Sequence, residues 1–313
     1  MIIAHRGASG YLPEHTLAAK ALAYGMGADY LEQDVVATRD DHLIVSHDIH
    51  LDRVTDVKRR YPERARGDGR FYARDFDLAE IRTLTVTERL GHDGEPVFPG
   101  RFPPHTGRFR INTLDEEIAF IQQLNRTTGR NVGIYPEIKA PAWHHEEGVD
   151  LAARMLATLA EFGYEGPDAP VFVQCFDWTE TQRMRRELGC SLPLIQLIAN
   201  PAWNESDTDY VHLLTPAGLE EVATVAQGIG PWLNQLYDME VIDGCPVASG
   251  VVRAAHDAGL AVHPYTFRRD ALPDGFGSFD ELLGFFFTDL GVDGIFTDFP
   301  DLAVRLRDEA FAG

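Results

Sequence analysis

Eight short runs rich in valine, isoleucine, leucine and phenylalanine recur along this chain, each followed by a stretch with helical spacing. The runs are 2–5, 30–37, 134–139, 171–176, 194–198, 228–233, 261–266 and 294–297. The helical stretches are 14–25, 114–127, 148–162, 179–188, 217–226, 249–257, 279–289 and 301–310. Runs with so little polar alternation suit strands buried on both faces, the condition of a parallel sheet covered by helices. Eight such alternations predict a (β/α)8 TIM barrel, an α/β fold, rather than an open doubly wound sheet. End signals agree: Thr113 precedes Leu-Asp-Glu-Glu as a capping box, and Gly129, Gly163, Gly189, Gly259 and Gly291 each stand just past a helical stretch.

One segment breaks the rhythm. Residues 49–112, after the second strand, are rich in Arg, Asp, Gly and Pro. Without those roughly 60 residues about 250 remain, the usual barrel length. The expectation is one barrel domain over 1–313 carrying a long insertion. That length suits a functional cap better than an idle loop. The insertion directly follows His47-Asp48, so it should close over part of the strand ends. Tyr61, Phe71, Tyr72, Phe98 and Phe102 give it apolar groups for a small core of its own.

Charge excludes some partners. The net charge is −21 and no basic stripe is visible, which argues against nucleic acid and against anionic membranes. No run approaches the roughly 18 apolar residues of a membrane span. The amino terminus carries no basic, apolar leader, so the chain as it stands reads as cytoplasmic, or as periplasmic if a leader has been cut away. Cys175, Cys190 and Cys245 are odd in number and lack a CxxC pair, and they read as isolated, mostly buried thiols.

The chemistry lies at the strand ends. Glu32 and Asp34 are two apart on one strand and so share a face; Glu137 and Lys139 repeat that spacing on the next. At about 4 Å, each pair of like charges repels by roughly 4 kcal/mol at an effective dielectric near 20. A hard divalent cation with oxygen ligands offsets that directly. Oxygen-only donors favour Ca²⁺ or Mg²⁺ over zinc. His5 and His47 follow the ends of the first two strands and supply one proton acceptor and one donor, as a diester requires. Arg6 presents a fork that matches phosphate oxygens, with an ion pair to Glu14 as its structural alternative. Lys139 offers a point charge to a phosphate, compatibly with a salt bridge to Glu137 or Asp34. Gly7 and Gly10 allow a tight loop, but no GxGxxG follows the first strand, so a dinucleotide site is excluded. His42 and His50 read as surface residues, and His144-His145 lack ligand spacing. Pro136 marks a local irregularity in its strand.

Four stretches, HRGASGYLPEHT from His5, YLEQDVVATRDDHLIVSHD from Tyr30, GIYPEIKAP from Gly133 and GIFTDFP from Gly294, resemble the glycerophosphodiester phosphodiesterase family, and most of all its bacterial periplasmic type. Where many members carry Asn-Thr after Pro-Glu, this chain has His15-Thr16, as that type does. The resemblance covers essentially the whole chain. It implies metal-dependent hydrolysis of a small glycerophosphodiester to an alcohol and glycerol 3-phosphate. It assigns His5 and His47 as acid and base, Glu32, Asp34 and Glu137 as metal ligands, and Arg6 and Lys139 as phosphate contacts. It further implies that Gln174, Tyr265 and Phe299 wall the glycerol, with barrel packing as the alternative for the two aromatics. It favours Ca²⁺, with Mg²⁺ second. Two rivals remain: a phospholipase-type enzyme that cleaves intact lipids, which would need an apolar rim, and a non-catalytic binder of glycerophosphodiesters.

Overall fold

A computed structural model describes residues 1–239 and 245–310. Eight parallel strands form the centre: β1 (Ile2–Ala4), β2 (Tyr30–Ala37), β3 (Gly133–Ile138), β4 (Val173–Cys175), β5 (Leu194–Ile198), β6 (Gly228–Pro231), β7 (Ala261–Val262) and β8 (Ile295–Thr297). They lie in the order β7-β6-β5-β4-β3-β2-β1-β8. The sheet curls until its ends meet: Phe267 N–H donates to Phe296 C=O at 2.8 Å and Phe296 N–H to Pro264 C=O at 3.0 Å. This is the (β/α)8 barrel that the alternation predicts, and all eight expected strands are present.

Period two then sorts the side chains. Ile2, Ala4, Leu31, Val35, Ile134 and Ile138 belong to the large outer core between strands and helices. Ile3, Tyr135, Ile195 and Phe296, with Tyr30 and Phe172 against them, fill the barrel interior as a separate cluster. The residues two further along β2 and β3 share that inward face, which brings Glu32 and Glu137 to the top of an apolar plug. Within β3 the chain passes through Pro136 without a break, and the Gln33 side chain accepts from the neighbouring Tyr135 N–H at 3.1 Å.

Four local features depart from the sequence reading. A short antiparallel strand, Leu43–Val45, folds back on β2 with Val45 opposite Val35. His47 therefore arrives on the returning arm of a hairpin and not at the end of a barrel strand. Three residues carry too little periodicity to be read as a strand. The first helix begins at Leu17, because the Thr16 side chain caps Ala19 N–H and His15 sits at φ 59. The helix expected over 148–162 runs from Leu151 to Glu161, capped by Asp150, and a short helix not read from the sequence, Pro141–Glu146, precedes it across Gly148 at φ 81. The helix from Phe279 tightens no further than Gly284 and continues as a π-helical turn, Phe285–Leu290.

The insertion has its own apolar core of Leu51, Val57, Phe71, Phe76, Ile81 and Leu84, which rests on Val36 and Ile44 of the hairpin. Of the aromatics expected there, Phe71 is buried in this core and Tyr61 packs against it through Phe76 at 5.4 Å. Tyr72 instead stacks on Trp143 at 5.6 Å, and Phe102 meets Phe109 at 5.4 Å. Phe98 lies under the Arg101 guanidinium.

One of the three lysines is fully buried. Lys20 reaches from the first helix to the Glu32 carbonyl and to the Glu117 carboxylate on the helix Leu114–Thr128. It thereby ties two helices to the strand that carries Glu32. Lys20→Met leaves Glu117 buried without its cation and should cost about 3–5 kcal/mol in urea unfolding. Lys20→Met combined with Glu117→Leu should recover most of that loss, because no lone charge remains.

Candidate active site

The first strand ends in a sharp turn. Arg6 takes φ 59 and Gly7 φ 88. A Cβ on Gly7 would stand 2.8 Å from the Ala19 backbone, so the turn needs a glycine there. The strained Arg6 backbone is held by its own N–H, which donates to Glu32 at 2.8 Å. This turn sends His5 and the Arg6 side chain into the mouth of the barrel.

A cavity of about 260 Å³ opens there, lined by His5, Arg6, Glu32, Asp34, His47, Glu137, Gln174 and Tyr265 among others. The two histidines are built alike. His5 Nδ1 meets Asp298 at 2.6 Å and His47 Nδ1 meets Asp48 at 2.5 Å. Each ring thus keeps Nε2 for the cavity: that of His5 lies 3.9 Å from Glu32, and that of His47 lies 3.4 Å from Lys139 Nζ. Burial, reinforced by Arg6, lowers His5 to about 4. Burial, Arg6 and Lys139 lower His47 to about 3. Both rings are neutral near pH 7.

Glu32, Asp34 and Glu137 present oxygens within 4.8 Å of one another, and all three are buried. Burial and the Asp34 charge raise Glu32 to about 8, and burial raises Glu137 well above the carboxylate range. Asp34 is opposite. Burial opposes its charge, but His15 at 2.7 Å, His47 and Lys139 outweigh burial and hold it well below the usual range. Its Oδ1 is buried with no hydrogen-bond partner among the described residues. Three converging carboxylates, two of them reluctant to ionise and one with a bare oxygen, fit a hard divalent cation.

Cationic side chains frame this group. Lys139 pairs with Glu137 at 2.7 Å, and that pairing prevails over burial and raises it. Arg6 Nη1 binds Glu14 at 3.1 Å and its Nε lies 3.4 Å from Asp34. The Arg6–Glu14 and Lys139–Glu137 ion pairs are therefore present, while Arg6 still lines the cavity and Lys139 stands beside it near His47. Gln174 donates to Glu32 at 3.1 Å and keeps a buried Oε1 without a partner among the described residues. Tyr265 lines the cavity with its hydroxyl turned to the Ile198 carbonyl at 2.9 Å.

Phe299 stands apart. It is 1% exposed, meets Tyr11 edge-on at 5.3 Å, and lines neither this cavity nor the one beside it. A Cβ on Gly10 would sit 2.4 Å from its ring, so it packs beneath the first loop. The expectation that it walls the ligand is corrected to its alternative, core packing, because the chain turns at Asp298 and the next side chain points outward. His50 is half-buried against Tyr72 at 4.4 Å. His144 is buried, with Nδ1 3.0 Å from the Ala140 carbonyl, and does not share a site with His145.

The sequence reading missed an outer ring of ion pairs. Arg89 from the insertion donates to Glu14 at 2.6 and 2.8 Å and to Asp48 at 2.7 Å. Arg101, also from the insertion, and Arg268 each donate to Asp298 at 2.7 Å. Asp48 and Asp298 lie inside the motifs YLEQDVVATRDDHLIVSHD and GIFTDFP, next to a histidine and a strand end. Arg89 and Arg101 carry no local mark in an arginine-rich chain. Phe176, Trp203 and Trp232 also border the main cavity, the two tryptophans 5.1 Å apart.

The sequence profile of the Glycerophosphoryl diester phosphodiesterase family matches residues 5–302. A glycerophosphodiester phosphodiesterase of Haemophilus influenzae is 43% identical over 97% of this chain and 89% of its own. One of Treponema pallidum is 40% identical over 97% of this chain and 91% of its own. Among solved structures, one from Silicibacter pomeroyi DSS-3 aligns with TM-score 0.73 and 26% identity, covering 99% of this chain and 93% of that one. An Oleispira antarctica phosphodiesterase in complex with the product sn-glycerol-3-phosphate shares the fold at TM-score 0.65 and 21% identity, covering 98% and 96%.

Arg89 links two carboxylates, one of which orients His47. Arg89→Ala should lower turnover roughly 10–100-fold, the usual effect of removing such a supporting partner. Arg89→Lys should restore only part, since an ammonium cannot span both carboxylates as the fork does. Initial rates at saturating substrate decide this, and a fully active Arg89→Lys would refute the need for a fork.

Proposed function

This chain belongs to the glycerophosphoryl diester phosphodiesterase family and is a glycerophosphodiester phosphodiesterase, and from that premise we propose how its residues perform the reaction. The reaction is hydrolysis of a glycerophosphodiester to an alcohol and glycerol 3-phosphate. The observation that carries our reading is the convergence of two buried imidazoles, each held at Nδ1 by an aspartate, on a cavity that also holds three carboxylates and Arg6, with Lys139 beside it against Glu137 and His47.

The phosphate sits between His5 and His47, with Arg6 and Lys139 donating to its oxygens. One imidazole takes a proton from the nucleophile through Nε2, and the other returns one to the departing alkoxide. The incoming phosphate adds negative charge beside both rings, which favours the protonated form in the one that acts as acid. Asp298 and Asp48 fix the ring orientations and stabilise each imidazolium as it forms. Gln174 offers Oε1 to a glycerol hydroxyl, and the Tyr265 ring covers the carbon chain.

Glu32, Asp34 and Glu137 hold the cation, which when bound supplies Lewis acidity to a phosphate oxygen. Three direct carboxylates suit Ca²⁺ better than Mg²⁺, which usually keeps most of its water and takes one or two carboxylates. The insertion acts as a cap, since Glu88, Arg89, Val97, Phe98 and Arg101 border the cavity beside the histidines. Among the described residues, no helix is long and apolar enough to cross a membrane.

Three measurements test this. Glycerol 3-phosphate release from glycerophosphocholine should fall on the order of 10²–10⁴-fold in His5→Ala and in His47→Ala, with folding retained. Ca²⁺ at a thousand times its Kd should stabilise the chelator-treated protein by about 4 kcal/mol, and Glu137→Gln should remove that gain. Full activity in excess chelator would contradict the metal. The intact enzyme should prefer glycerophosphocholine to lysolipid vesicles, and replacing 49–112 by a short linker in a protein that still folds should relax that preference.

A further inference from the structure

A second cavity, of about 230 Å³, shares His5, Arg6, His47 and Arg268 with the first and lacks its three clustered carboxylates. Much of its wall comes from the insertion, including Glu88, Val97 and Phe98. A phosphodiester has two ester arms. With phosphorus between the histidines and the glycerol arm beside Gln174 and Tyr265, the other arm enters this second cavity. That assignment rests on the reading in the preceding section.

Glu88 is the unusual group here. It is 4% exposed, and its Oε2 is buried with no hydrogen-bond donor among the described residues. The guanidiniums around it are already engaged: Arg89 with Glu14 and Asp48, Arg101 with Asp270 and Asp298, Arg268 with Asp298, and Arg6 with Glu14. A buried acceptor without a donor is unfavourable, and a ligand that brings the donor relieves it.

The chemistry of that donor can be narrowed. A quaternary ammonium has no N–H and binds best over free aromatic faces. The aromatic ring of this cavity, Phe98, already has the Arg101 guanidinium 3.7 Å from its centroid and that of Arg268 at 5.6 Å. A primary ammonium needs no such face and presents three N–H groups. We propose that the second cavity receives the leaving alcohol and that Glu88 selects an amino alcohol whose primary ammonium donates to Oε2. Burial, with Glu14 nearby, raises Glu88 to about 7, the behaviour of a carboxylate without its own cation, and a docked ammonium returns it to the charged form.

The test compares kcat/KM for glycerophosphoethanolamine and glycerophosphocholine in the full-length wild type, Glu88→Gln and Glu88→Leu. The wild type should favour the ethanolamine ester roughly 10-fold or more, the worth of a hydrogen bond to a charged group. In Glu88→Leu that ratio should shrink to within about twofold, chiefly through loss on the ethanolamine ester. Glu88→Gln keeps the shape and an acceptor oxygen but no charge, and should fall between. The ratio does not depend on what fraction of a variant folds. Equal rates in the wild type, or a ratio unchanged in both variants, overturn the assignment. If the wild type hydrolyses neither ester, the phosphodiesterase reading itself fails, and the role of Glu88 falls with it.

Discussion

Three buried carboxylates at one end of a barrel are the constraint around which the site is arranged. Glu32, Asp34 and Glu137 are brought together by strand register, with Asp34 opposite Glu137 in the β2–β3 ladder. The ladder holds them there regardless of their charge, because slipping it by one residue would turn every inward side chain of β2 outward. Their mutual repulsion has to be met by something else. Lys139 meets part of it at Glu137 and His15 part at Asp34, while Glu32 takes the Arg6 N–H and the Gln174 amide. What is left over, a bare oxygen on Asp34 and two acids displaced upward, is the need that a divalent cation answers.

The same electrostatics couple the insertion to the chemistry. An aspartate holds each of the two imidazoles at the cavity, and each aspartate is paired with an arginine of the insertion: Asp48 with Arg89 and Asp298 with Arg101. Barrel and insertion therefore meet in the ion pairs that orient the histidines. Displacing the insertion would leave buried Asp48 without its arginine and Asp298 with Arg268 alone. Glu14 joins the system from the first loop by binding Arg6 and Arg89 together. Burial works against its charge, yet the two arginines hold it well below the ordinary carboxylate range.

Beneath the site the barrel interior is buried and largely aromatic. Tyr135 stacks on Phe172 at 5.2 Å and meets Phe296 edge-on at 4.9 Å. This plug keeps water from approaching the carboxylates from below, which is one reason their ionisation is so displaced. Lys20 stiffens the same region from outside through the Glu32 carbonyl.

Much of this was legible in the chain. Eight apolar runs with helical partners specify a barrel, because a strand buried on both faces has few other ways to be covered. Glu32 with Asp34 and Glu137 with Lys139 follow from the period of two, which any strand enforces. His5, Arg6 and His47 stand in motifs recognisable by their order. The rest depends on contacts between residues far apart in sequence. Nothing near Arg89 or Arg101 marks them among the many arginines, and their role exists only because the insertion folds back on the mouth. Phe299 read as a pocket wall and is core, since whether a side chain after a strand end points in or out is set by the turn that packs it. The sequence alone determined the fold and the acids that share a strand face, because those follow from local periodicity, and it marked the two histidines through the order of their motifs. Which side chains orient the histidines, which remain unpaired, and which face a second cavity were decided by the tertiary structure, because charge partners buried together are chosen by three-dimensional packing and not by spacing along the chain.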